Sequence, residues 1–72
     1  MGKITIESKK IGIKLRQLRL KKQISQEELA YKSGLNRAYI GYIERGERNP
    51  STETLSKIAT VLNVKLYELF RF

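Results

Sequence analysis

The chain has 72 residues, a length that supports one small core and excludes a second one. Fifteen Lys and Arg stand against seven Asp and Glu, a formal net charge of +8, and there is no Cys and no His. Those absences exclude disulfides, the common zinc-site spacings and any ready nucleophile–base set, so no enzyme and no cofactor is expected, and they suit a reducing compartment.

Charge is unevenly spread. Residues 1–22 hold eight of the basic side chains with Glu7 as the lone acid, whereas residues 23–72 carry seven basic and six acidic ones. A basic block of this kind binds polyanions by releasing counterions from a phosphate backbone, or serves as a solvated face that keeps the chain soluble. No run approaches the ~18 to 20 apolar residues of a membrane span and no signal-like apolar core opens the chain, so a cytoplasmic protein is expected. A core this small also asks for a second source of stability, and self-association is the route left.

The opening MGKITIESKK alternates Ile4, Thr5 and Ile6 between charges. That strand-like pattern is too short to stand alone and reads as an N-terminal arm, residues 1–10, ahead of a domain spanning 11–72. From Ile11, with Leu15 and Leu18 at i+4 and i+7, one face of a helix runs to about Lys22. Ile13 and Leu20 fall off that stripe and make the outer side more apolar than solvent requires. Ser25 with Gln26, Glu27 and Glu28 has the form of a capping box, which opens a second helix at Gln26. Gly34 supplies a permissive turn and Asn36 an N-cap, so a third helix from Arg37 to about Arg45 follows at helix-turn-helix spacing.

Within that third helix Ile40 and Ile43 face inward, while Arg37, Ala38, Gly41 and Tyr42 share the other side; Gly46 is its expected left-handed stop. Asn49 and Pro50 make a loop. Ser51 caps a fourth helix with Leu55, Ile58, Ala59 and Leu62 inside, and Asn63 ends it. A fifth short helix, about Lys65 to Phe70, completes an all-α, five-helix bundle.

The segment SQEELAYKSGLNRAYIGYIERGERNPS resembles the helix-turn-helix family of lambda-type phage repressors and Cro proteins (the XRE family), and AYKSGLNRAYIGYIERGERN is similar to the small controller proteins of restriction-modification systems. The resemblance spans residues 11–70. It implies a transcriptional regulator that binds double-stranded DNA as a homodimer on a pseudo-palindromic operator, blocking or recruiting RNA polymerase. A phage-type repressor, or an antitoxin that uses the same fold to mask a partner protein, is the alternative.

In that geometry the second helix crosses the phosphate backbone and the third enters the major groove by its N-terminal part. Arg37 is then placed to grip guanine O6 and N7, or else a phosphate. Ala38 is small enough to meet a thymine methyl, or is indifferent filler. Tyr42, one turn on from Ala38, matches a position that often meets bases, though a tyrosine there can equally donate to phosphate. Asn36 caps the helix and has an amide to offer to DNA. Gln26 matches the family's phosphate-binding glutamine, and Tyr39, Arg45, Arg48 and Asn49 are expected at phosphates along the groove edges.

The resemblance also implies an ion pair between Arg19, late in the first helix, and Glu44, late in the third. Gln23 stands where many relatives have glycine, which leaves that turn to a strained residue. Leu66, Tyr67, Leu69, Phe70 and Phe72 are too many large apolar groups for one short helix to bury. They are expected to form much of a dimer interface, although Leu66, Leu69 and Phe70 can also close the monomer core.

Overall fold

The structure is a computed structural model that describes residues 5–72. Four α-helices follow in chain order, α1 (Ile6–Lys21), α2 (Gln26–Ser33), α3 (Arg37–Glu44) and α4 (Thr52–Leu62), and a 3-10 helix, Leu66–Phe70, closes the chain. The described residues hold helices and no strand. Two expectations change accordingly. The fifth element is a 3-10 helix of five residues, not an α-helix, and the first helix starts at Ile6, not at residue 11. The residues assigned to an arm therefore divide. Residues 6–10 are helical and residues 1–4 lie outside those described.

The earlier start has a local cause. Thr5 is extended at φ −131° and ψ 172°, and its hydroxyl accepts from the Ser8 amide at 3.0 Å, an N-cap that the Ile-Thr-Ile alternation conceals. The other three α-helices open the same way, on Ser25, Asn36 and Ser51. At Ser25 only half of the capping box forms: the hydroxyl accepts from the Glu28 amide at 2.9 Å, but the Glu28 carboxylate goes to Lys32, also at 2.9 Å.

All four α-helices end alike. One residue turns left-handed, at Gln23, Gly34, Gly46 and Asn63, with φ between 57° and 74°. Its amide and the next one bond back to the last turn; in α1, Gln23 N donates to Leu20 O and Ile24 N to Arg19 O. This closure satisfies carbonyls that would otherwise be orphaned.

Helical phase then fixes the core. Ile11 and Leu15 of α1, Leu29 and Ala30 of α2, Ile40 and Ile43 of α3, and Leu55, Ile58, Ala59 and Leu62 of α4 are buried together, and Leu69 inserts from the 3-10 helix. Leu18 packs at the margin, while Ile13 and Leu20 stay exposed. α3 is held between α1 and α2, and the 3-10 helix lies against α1 and α4. No helix among the described residues is long and apolar enough to cross a membrane.

Candidate nucleic-acid interface

Gly34, Leu35 and Asn36 join α2 to α3. The Asn36 carboxamide oxygen accepts from the Ala38 amide at 2.7 Å, so the cap is made and the side-chain NH2 is turned away from it. At 100° per residue, Arg37, Ala38, Gly41, Tyr42 and Arg45 fall on one arc of α3 and Ile40 and Ile43 on the opposite one. Burial follows this division: Ile40 and Ile43 have no exposed surface, whereas Arg37 and Ala38 are open to solvent.

Tyr39 lies between the two arcs and is half-buried, its ring packed against the core cluster. Only its outer edge is available to a ligand. Tyr42 is also half-buried, but under arginines: the guanidinium carbons of Arg45 and Arg48 lie 5.2 and 4.6 Å from its ring centre. Arg45 also pairs with Glu47, Nε to Oε1 at 3.2 Å. Asn49 is exposed and Pro50 buried, so the exit loop is anchored at its proline and open at its asparagine.

Behind this face sits a buried polar network. Arg19 Nε donates to Glu44 Oε2 at 2.6 Å and Arg19 Nη2 to Oε1 at 3.1 Å, a two-pronged pair. The third guanidinium nitrogen, Nη1, donates to the Ile24 carbonyl at 2.8 Å. Gln26 Nε2 donates to Glu44 Oε1 at 3.0 Å, so the glutamine expected at phosphate is tethered through one N–H and keeps one for a ligand. Among the described residues no buried side-chain nitrogen or oxygen lacks a partner. The C-terminus of α1, the start of α2 and the end of α3 are thus tied at one carboxylate.

Two glycines fix how α1 meets α3. A Cβ at Gly12 would strike the backbone carbonyls of Ile43 and Glu44, and one at Gly46 would come within 2.9 Å of Lys9 Cα. Sequence reasoning passed over Gly12, although glycine inside a helix costs about 1 kcal/mol against alanine and so asks for a packing reason.

The residues expected at a dimer contact separate into two sets. Leu69 is fully buried within the single chain and Leu66 packs against the same cluster, so Leu69 belongs to the core and has no surface for a partner. Tyr67 and Phe72 remain 60% and 61% exposed, with Phe70 beside them also exposed. Lys10 Nζ lies 5.5 Å from the centre of the Phe72 ring.

A helix-turn-helix family model matches residues 15–69, from the middle of α1 through the 3-10 helix. The chain belongs to the helix-turn-helix family. It is 47% identical over 62 residues to the control protein C.BamHI of Bacillus amyloliquefaciens, covering 85% of this chain and 76% of that one. It is 39% identical over 61 residues to the 10 kDa protein of the ImmF control region of Bacillus phage phi105, covering 85% and 68%. Among solved structures, the restriction-modification controller protein C.AhdI of Aeromonas hydrophila superposes with a TM-score of 0.89 at 47% identity, covering 92% of this chain and all of that one. The controller protein C.Esp1396I gives 0.84 at 36% identity, with 93% and 90% covered. These are similarities to transcriptional regulators of the XRE type, and the controller proteins stand among them.

Proposed function

We propose that this helix-turn-helix regulator acts as a homodimer on a pseudo-palindromic operator and times the expression of a restriction-modification locus. The observation that carries the reading is the division of α3: one arc fully buried, the other presenting Arg37 and Ala38 beside the Asn36 amide. That is the disposition by which a recognition helix meets base edges with its N-terminal residues. Arg37 is the guanine reader, Ala38 sits against a thymine methyl, and Asn36 offers its NH2 group. Gln26, Tyr39, Arg48 and Asn49 grip phosphate on the two sides of the groove.

One such helix reads only a few base pairs. A two-fold dimer through Tyr67, Phe70 and Phe72 sets two helices in successive major grooves, roughly 34 Å apart. Occupancy then blocks or recruits polymerase according to where the operator lies. The reading assigns no catalytic step, needs no cofactor and places the protein in the cytoplasm. Its test is a footprint on the DNA upstream of the protein's own gene, followed by titration of that duplex and a random one at stated salt. A protected palindrome bound at least ~10³-fold more tightly than random duplex is expected. Equal affinity for the two would leave only sequence-indifferent binding to duplex shape and charge.

A further inference from the structure

The ring of Tyr42 has both neighbouring arginines on it, and both guanidinium carbons lie inside the ~6 Å within which an aromatic face attracts a cation. We propose that Tyr42 is the seat of a two-arginine phosphate grip and acts by positioning Arg45 and Arg48, not by reading a base. The proposal rests on the operator reading above and sharpens what the far half of α3 does there.

Gly41 supplies an independent observation. By helical phase it belongs to the outer arc with Arg37, yet it is buried, because the Arg45 guanidinium lies back across it. A Cβ at position 41 would sit 3.0 Å from Arg45 Nη1. The missing side chain makes the floor of the seat. Glu47 holds Arg45 from the other end, Nε to Oε1 at 3.2 Å.

The chemistry favours an anion as the ligand. Two guanidiniums on one ring repel each other; Glu47, paired with Arg45, relieves part of that repulsion, and a phosphate oxygen set between them would relieve more. A guanidinium seated over a ring meets it through its carbon and keeps N–H donors in a fork that suits phosphate, in Arg45 those other than the Nε–H given to Glu47. Stacking also removes much of the rotamer freedom that a long side chain otherwise loses on binding. The proposed role uses the ring face alone, so phenylalanine should serve as well as tyrosine.

Wild type, Tyr42→Phe, Tyr42→Ala and Gly41→Ala are titrated with operator and random duplex over a salt series. Tyr42→Ala should weaken both duplexes by a similar factor, about tenfold. It should also lower the slope of log K against log salt by about 1 and leave the specificity ratio intact. Tyr42→Phe should match wild type. Gly41→Ala should raise the melting temperature while weakening both duplexes. The idea is overturned if Tyr42→Phe binds as weakly as Tyr42→Ala, or if the specificity ratio falls with the salt slope unchanged, since either result makes the side chain a base reader. Proton NMR of the free protein separates the two layers. Upfield ring-current shifts on the Arg45 and Arg48 side chains should vanish in Tyr42→Ala, and their absence from wild type removes the seat whatever the DNA result. A wild-type protein that shows those shifts but binds no duplex would end both the operator reading and the phosphate grip.

Discussion

Gly12 of α1 touches the carbonyl of Ile43 in α3 so closely that a Cβ there would strike that oxygen and lie 2.7 Å from the carbonyl oxygen of Glu44. The two helices meet backbone to backbone, without an intervening layer of side chains. This sets the depth at which the outer arc of α3 stands above the scaffold. Gly12→Ala gains about 1 kcal/mol of helix propensity but forces two main chains apart, where overpacking costs up to ~3 kcal/mol. The strain wins because carbonyl oxygens cannot rotate away as a side-chain tip can. A net loss of about 2 kcal/mol, or roughly 10 °C in Tm, is expected from a thermal melt. A variant as stable as wild type would mean that the helices slide at no cost.

How much of this arrangement the sequence reveals depends on what each residue's pattern encodes. Leu55, Ile58, Ala59 and Leu62 carry α4 in their spacing, and the N-caps at Ser25, Asn36 and Ser51 mark three helix starts by residue type. Thr5 did not read as a cap because Ile4 and Ile6 around it alternate like a strand. The contact that outweighs that alternation is with Ser8, a residue with no apolar signature. Gly12 and Gly41 look like interruptions of a helix, and their meaning lies in what approaches them from outside. The Leu69 side chain shows the same limit at the other terminus. The spacing leaves it open between the core and a dimer contact, and only the packing of the 3-10 turn, which sets Leu69 on one face with Leu66, settles it for the core.

The Arg19–Glu44 pair is the next element to test. Both side chains are nearly fully buried, at 9% and 2% exposure, and four hydrogen bonds join the pair to each other, Ile24 and Gln26. Removing one partner leaves an uncompensated charge away from water, which costs about 3–5 kcal/mol. For a domain of this size that is most of the available stability. Arg19→Met and Glu44→Leu should each bring the melt down steeply, while the double variant should lose less than either single one, because no lone charge remains. Additive losses in a denaturant titration would show that the pair carries no coupling.

Gln23 offers a change in the opposite direction. It occupies φ 61° at the end of α1, a conformation costing a side-chain-bearing residue roughly 1–2 kcal/mol. Glycine is free of that strain but loses more entropy on folding, up to about 1 kcal/mol. The balance favours Gln23→Gly by about 0.5 kcal/mol, a rise of roughly 3 °C in Tm. Operator affinity should move little, since Gln23 is none of the residues assigned to a base or a phosphate. A fall in Tm would show that the Gln23 side chain makes a contact stronger than its backbone strain.

Tyr67 and Phe72 carry the last prediction, because their exposure separates association from folding. Each keeps about three-fifths of its surface in the single chain, whereas Leu69, two residues after Tyr67, keeps none. Charged replacements such as Tyr67→Glu and Phe72→Glu should therefore leave the helical fold intact by circular dichroism. Sedimentation should shift from dimer to monomer, and the melting temperature should lose its dependence on protein concentration, as expected when folding is no longer linked to association. Leu69→Ala should do the reverse, losing about 2–5 kcal/mol from the core. Operator binding by the charged variants should weaken far more than a single phosphate contact explains, since each monomer keeps only one of two reading helices. If wild type sediments as a dimer and the charged variants do so too, the two subunits meet elsewhere, and the exposed stripe of Ile13 and Leu20 on α1 becomes the surface to substitute next; a monomeric wild type would overturn the dimer itself.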